Sequence, residues 1–383
     1  MINVSVKGNC SGCHACASVC PKKCITMKRD PEGFLYPHAD NSVCVECGLC
    51  EKVCPLLNRE TKKEKQYPEA YAVVNSEAEI RETSSSGGVF TLIAEYILEQ
   101  GGVVFGAAFN DKNEVEHIYT EDKKELYKLR GAKYVQSLIG DTYVQAKAFL
   151  EDGKKVLYTG TPCQIGGLKS FLGKEYDNLF CQDIICHGVP SPDVWKKYLE
   201  YREKKAGSKI KEISFRNKKH GWKKYSVKFI FENNSVYSKK ASEDLYMRGY
   251  LSDLCLRPSC YQCEFKSLER QADITLADFW GIENIIPKMD DDKGTSLVLV
   301  HSEKGAELLS EVCRKAEAEV VDLQKAVSYN GAAVKSTRLP ELRENFLKDI
   351  KTGDFEKVVN LYTVKKSFVK KVLRKCLRIV KRK

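Results

Sequence analysis

Four cysteines spaced C-x2-C-x2-C-x3-C and closed by a proline occur twice near the start of the chain, as CSGCHACASVCP from Cys10 to Pro21 and as CVECGLCEKVCP from Cys44 to Pro55. No other feature constrains the chain as tightly. Three sulfurs at three-residue intervals let one turning loop face a single metal-sulfur cube, while the fourth, set one residue further on, reaches a neighbouring cube. The duplication therefore predicts two [4Fe-4S] clusters: Cys10, Cys13, Cys16 and Cys54 around one, Cys44, Cys47, Cys50 and Cys20 around the other. Pro21 and Pro55 end each ligand loop. Zinc sites pair C-x2-C half-sites across a longer gap, and a disulfide lattice belongs to an oxidising compartment. Cys24 has no counterpart in the second repeat and reads as a buried spare thiol.

Nine of the 17 cysteines fall in the first 54 residues, and no charged start followed by an apolar run precedes them. The expectation is reduced thiols in a cytoplasmic protein. At 383 residues the chain exceeds the roughly 100–200 of a single domain. Residues 1–57 read as a bacterial-type two-cluster ferredoxin domain. Residues 58–68, charged and without apolar periodicity, read as a linker, 69–355 as the body, and 356–383 as a basic amphipathic C-terminal helix.

Within the body, short β-rich runs such as AYAVVN, GGVVFGAAF, KKVLYTG, LFCQDIIC, ADITLADF and SLVLVHS alternate with helical stretches. This pattern predicts an α/β fold with a mixed sheet, α+β when taken with the N-terminal domain. Beyond about Lys205 the strands become hairpin-like, which admits a second lobe or an insertion.

Two strand-to-helix junctions, TSSSGGVF around Ser86, Gly87 and Gly88 and YTGTPCQIGG around Gly160 and Thr161, carry the hydroxyls and glycines that suit either plain helix capping or an anion at a helix start. Neither a G-x-G-x-x-G fingerprint nor a Walker A sequence occurs. Cys163, Cys186, Cys260 and Cys263, with Cys255 nearby, offer either one further ligand set or packed structural thiols. The aromatic residues of KYVQ, HGWKKY and ADFWG serve equally a flat ring system or the core. His187, beside Cys186, is a candidate proton relay or a structural histidine.

The ordered set SSSGGVF, RGAKYVQS, GTPCQIGGL, CHGVPSP, LRPSCYQCEF and ADITLADFWGIE, behind a two-cluster ferredoxin segment, resembles the coenzyme F-420 (8-hydroxy-5-deazaflavin) hydrogenase/dehydrogenase beta-subunit family, most of all its bacterial branch associated with polysaccharide-biosynthesis loci. The resemblance implies a flavin and iron-sulfur oxidoreductase. It places an FAD pyrophosphate near Ser86, Gly87, Gly88, Gly160 and Thr161, with Lys133 and Gln136 near the flavin. It also implies a third [4Fe-4S] cluster on Cys163, Cys186, Cys260 and Cys263, with Cys255 in reserve.

The formal net charge of +11 suggests nucleic acid, yet ten of the 63 basic residues lie between Lys365 and Lys383, leaving 53 against 52 acidic residues elsewhere. The near-neutral remainder argues against nucleic acid. In the tail, Phe368, Val369, Val372, Leu373, Cys376, Leu377 and Val380 recur at helical spacing opposite the cations, the pattern of a helix lying on anionic lipid at the inner membrane face. Two functional readings follow: an oxidoreductase exchanging electrons between a partner protein and a small-molecule substrate through FAD, or a non-enzymatic electron-relay subunit of a larger complex.

Overall fold

The computed structural model describes residues 2–58 and 68–363. Most of the expected linker and the basic tail from Lys365 lie outside the described residues.

The N-terminal domain is built on a hairpin of β1 (Ile25–Arg29) and β2 (Leu35–Ala39), paired antiparallel from Ile25 opposite Ala39 to Arg29 opposite Leu35. Short helices Ala15–Val19 and Leu49–Lys52 lie one in each cysteine repeat. The sequence duplication is also a backbone duplication. Gly12 and His14 have φ of 70° and 67°, and the matching Glu46 and Gly48 have 52° and 74°. The left-handed residues on either side of Cys13 and of Cys47 turn each loop back on itself. Holding a non-glycine residue there costs about 1–2 kcal/mol, a strain concentrated where sulfurs must face inward.

The body begins with β3 (Glu69–Asn75), β4 (Val103–Phe109), β5 (Val115–Thr120), β6 (Val156–Thr159) and β7 (Leu179–Ile184). A separate three-stranded sheet follows, formed by β8 (Ile210–Asn217), β9 (Ser226–Phe231) and β10 (Val236–Lys240). The chain then returns to the large sheet through β11 (Ile274–Asp278), β12 (Ser296–Val300) and β13 (Ala316–Val321). The large mixed sheet has the order β13-β3-β12-β11-β7-β6-β4-β5. β4, β6, β7 and β11 are mutually parallel, and β3 runs the same way because β12 is antiparallel to both β3 and β11. Five strands therefore end at one edge of the sheet, where ligands bind in open α/β folds.

Burial on both faces explains the near-continuous apolar strand sequences. Val104, Leu157 and Val298 face the helices Val89–Glu99 and Glu303–Val312. Val103, Phe105, Val156 and Tyr158 face the opposite side, against Tyr143, Ile165 and Leu168. A second core gathers Trp195, Tyr198, Phe215, Phe229 and Tyr246 with Phe346, Phe355, Val358 and Val359. Because residues from the helix Phe355–Thr363 belong to that core, the body continues to residue 363, beyond the boundary at 355 expected from sequence. Apolar contacts at 355, 358 and 359 hold that helix on the body, while the excess of cations begins only at Lys365.

Trp195 is 1% exposed, and its indole Nε1 donates to the Asn113 carbonyl at 2.7 Å. Trp195→Ala should cost about 3–5 kcal/mol, read as a lowered urea midpoint with the N-terminal iron content unchanged.

Candidate functional site

Three groups of cysteines each line a cavity. Cys10, Cys13, Cys16 and Cys54 line one of about 120 Å³. Cys20, Cys44, Cys47 and Cys50, joined by Cys24, line a smaller one of about 20 Å³. Cys163, Cys186, Cys260 and Cys263 line a third of about 430 Å³. In the first two, the fourth cysteine of each repeat has crossed to the other repeat's triplet. Among the described residues, no three His, Cys, Asp or Glu side chains close on a point as a single ion requires. Four cysteines around one cavity match the ligand number of a [4Fe-4S] cube.

The first and third cavities adjoin, sharing Asn9, Ser11, Leu56 and Leu57 in their walls. The N-terminal domain is held there by buried polar contacts. Arg343 pairs with Glu32 through both guanidinium nitrogens, at 3.0 and 2.5 Å. Ser191 Oγ donates to the Glu32 carbonyl at 2.5 Å. Gly167, in the helix Pro162–Leu172, faces Cys13 so closely that a Cβ there would lie 2.8 Å from Cys13 Cβ and 3.0 Å from its Sγ.

The third group is assembled from distant parts of the chain. Cys163 opens the helix after β6, and Cys186 follows β7, so both sit at the common strand edge. The segment carrying Cys260 and Cys263 is tied to the Cys186 loop by backbone bonds from Ser191 to Cys255 and from Arg257 to Val189, at 2.8 and 2.9 Å. The Val189 amide donates to Cys260 Sγ at 3.4 Å. Cys255 is 0% exposed in the second core and is not a wall residue of the cavity; it packs. Cys24 is buried, with its sulfur 3.3 Å from that of Cys20.

Burial, with the neighbouring Cys10 and Cys54 adding repulsion, pushes the Cys13 thiol up to about 11. Burial likewise pushes Cys260 up to about 12 and raises Cys163 and Cys186. Grouped thiolates in such a place are unfavourable without positive charge among them, which iron supplies. His187 lines the third cavity with Nε2 2.6 Å from Asp253 Oδ1.

The glycine turns lie at the same strand edge. Ser86, Gly87 and Gly88 precede the helix Val89–Glu99; Gly160 and Thr161 precede Pro162. Part of their polarity is already used: the Gly87 amide donates to Ser296 Oγ, and the Thr161 amide to Gln164 Oε1 in a capping box. Each turn also has nearby a buried nitrogen without a partner among the described residues. Arg216 Nη2 reaches the Ser85 carbonyl at 3.4 Å while its Nε has no partner, and His117 Nε2 lies 3.0 Å from the Thr159 carbonyl while its Nδ1 has none. Lys218 Nζ contacts the carbonyls of Arg81, Ser86 and Lys293, and burial lowers its pKa to about 8. Trp222 and Trp280 stack 4.8 Å apart behind Arg216.

Lys133 and Gln136 have partners of their own within the fold. The Lys133 ammonium donates to the carbonyls of Lys128, Leu129 and Arg130 at the end of a short helix, where burial lowers its pKa to about 7. Gln136 donates to the Ser11 carbonyl at 3.1 Å and accepts from Arg257, toward the N-terminal domain. Arg216, His117 and Gly167 did not stand out in the sequence, because each matters through a neighbour distant along the chain.

Comparison with known proteins places a 4Fe-4S dicluster domain at residues 9–57. The coenzyme F420 hydrogenase/dehydrogenase beta subunit matches in two parts, its N-terminal part at residues 70–141 and its C-terminal part at 153–326. A curated relative, an F(420)H(2) dehydrogenase subunit of Methanosarcina mazei, is 26% identical over 164 residues, 40% of this chain and 46% of the relative. An NADH-quinone oxidoreductase subunit of Geobacter metallireducens is 38% identical over 55 residues, 13% of this chain and 42% of the relative. The chain thus spans about half the length of the curated relatives it matches. A chain of the F420-reducing [NiFe] hydrogenase complex from Methanosarcina barkeri superposes with a TM-score of 0.47 at 18% identity, covering 72% of this chain and 90% of that one.

Gly→Ala in a helix interior ordinarily stabilises by about 0.5–1 kcal/mol. Gly167→Ala should do the reverse, lowering the thermal midpoint, because the new methyl meets Cys13 rather than space. A control change on the exposed part of the same helix should leave the midpoint within experimental error.

Proposed function

The chain belongs to the coenzyme F420 hydrogenase/dehydrogenase beta-subunit family, and on that premise we propose that it is a flavin- and iron-sulfur-dependent oxidoreductase passing electrons between a partner protein and a small hydride-carrying molecule. The observation that carries this reading is the shared wall between the cavity of Cys10, Cys13, Cys16 and Cys54 and that of Cys163, Cys186, Cys260 and Cys263. In this reading the N-terminal domain holds its two [4Fe-4S] clusters on the crossed sets of four, with Cys24 as a neighbour, and the body holds a third.

FAD would be held at the common strand edge. Ser86, Gly87, Gly88, Gly160 and Thr161 would line its pyrophosphate, with Lys218 the nearby cation and Arg216, already paired with Asp278, a further donor. Arg216 Nε and His117 Nδ1, without a partner among the described residues, are groups such a ligand would satisfy. When bound, a flavin supplies exchange between a two-electron hydride and the single electrons that clusters carry. The chain's residues do the holding. Lys133 fixes the end of its helix, Gln136 fixes the Ser11 loop, and His187 with Asp253 orients a ring at the wall of the third cavity.

One observation favours the alternative of an electron relay without FAD: the amides of Gly87 and Thr161 are already satisfied within the chain. Protein purified without oxygen decides between the two. Iron and sulfide for three clusters with stoichiometric flavin support the enzyme; clusters without flavin support the relay. Cys47→Ser and Cys260→Ser should each remove one cluster's worth of iron, whereas Cys24→Ser and Cys255→Ser should leave iron unchanged.

Lys365 to Lys383 is proposed to hold the protein at an anionic membrane surface. Among the described residues no helix is long and apolar enough to cross a membrane. Each cation near an anionic surface contributes about 1 kcal/mol, so deleting 365–383 should abolish co-sedimentation with anionic vesicles while leaving the iron content intact. Equal sedimentation of the truncated protein would remove membrane contact from the account.

A further inference from the structure

Arg257 is 0% exposed, and its side chain leaves the body to enter the cysteine-rich domain. Nε donates to the Cys10 carbonyl at 2.8 Å, and Nη2 to the Leu35 carbonyl at 3.0 Å and to Cys10 Sγ at 3.6 Å. Nη1 donates to Gln136 Oε1 at 3.1 Å, and the guanidinium lies 4.2 Å from the Tyr36 ring centroid. Gly12 admits it, since a Cβ there would fall 2.7 Å from Nη1. The Arg257 carbonyl in turn accepts from the Cys260 amide at 2.9 Å. One residue thus touches a cysteine of the first cavity with its side chain and a cysteine of the third with its backbone.

The cation has no carboxylate partner among the described residues. Three other buried arginines do: Arg216 pairs with Asp278, Arg270 with Asp183 and Arg343 with Glu32, whereas Arg202 is packed over the Tyr201 and Tyr237 rings. A buried charge without a counter-charge is strongly unfavourable. The partner set here consists of carbonyls, an amide, a tyrosine ring and the sulfur of Cys10, and that sulfur is where a negative charge can reach the guanidinium. A cube ligated by four cysteinates is anionic, and becomes more so by one charge on taking up an electron.

We infer that Arg257 is the counter-ion of the cluster on Cys10, Cys13, Cys16 and Cys54, and that its charge and its N–H to Cys10 Sγ raise that cluster's reduction potential relative to the second N-terminal cluster. This rests on the cluster assignment above. Hydrogen bonds to the sulfurs and nearby charge are among the determinants of such potentials. A positive charge favours the reduced, more anionic form, so its removal lowers the potential.

The test is an anaerobic redox titration of the full chain with dithionite and ferricyanide, followed by electron paramagnetic resonance. Arg257→Met, which keeps the apolar bulk and drops the charge, should shift one cluster's midpoint to lower potential while the others stay in place. Arg257→Lys, which keeps the charge without the planar fork, should give a smaller shift in the same direction. If the Met variant loses iron or fails to fold, Arg257→Lys and Gln136→Met, which frees one guanidinium arm, carry the measurement. Clusters present with every midpoint unmoved would overturn the inference and leave the cluster assignment standing. Wild-type protein without iron would overturn that assignment instead.

Discussion

Everything at the site depends on the cysteine-rich domain being seated against the body at the carboxyl edge of the sheet. The seat is tight because Gly167 has no side chain opposite Cys13, and it is directional because Arg343 reaches Glu32 and Arg257 reaches the Cys10 loop. Apolar packing alone allows sliding, whereas buried charges with fixed hydrogen-bond geometry admit one arrangement well. That arrangement puts two sulfur-lined cavities wall to wall.

The large sheet supplies the other half of the geometry. Five strands pointing the same way deliver the loops after β3, β6, β7 and β11 to one edge, so residues far apart along the chain become neighbours. Cys163 and Cys186 arrive there directly, at the ends of adjacent strands β6 and β7. Cys260 and Cys263 arrive by a detour through the second lobe, whose return is pinned by the pairing of Pro190 with Leu256. Thiols alone in such a place stay protonated through burial, as at Cys13 and Cys260, so loading with iron and release of protons go together.

Much of this was legible in the residues. The duplicated spacing leads to the crossed grouping in which the cysteines line the first two cavities, because each triplet is one loop and the fourth cysteine, one residue further on, reaches the other. The near-continuous apolar runs of β4, β6 and β12 are legible as strands because both faces are buried. β13 was not legible: AEAEVV combines helix-favouring alanine and glutamate, and its strand state comes from pairing with β3 along the sheet margin. The partner of Arg257 was equally hidden, because nothing in LRPSC indicates that the arginine reaches back 247 residues to Cys10. The nearness of Lys133 and Gln136 to a flavin is implied by the family resemblance, whereas the contacts of their polar groups, with a helix end and with the Ser11 loop, come from the fold. Side-chain direction is a tertiary property, and spacing does not encode it.

Three clusters in one chain, with those on either side of Arg257 close together, are what the proposed electron path requires. Electron paramagnetic resonance of the fully reduced, anaerobically purified protein reads that arrangement without an intermediary. The expected spectrum is broadened by spin coupling and simplifies when Cys260→Ser removes the body's cluster. Two non-interacting signals unchanged by Cys260→Ser, or zinc in place of iron, would contradict it.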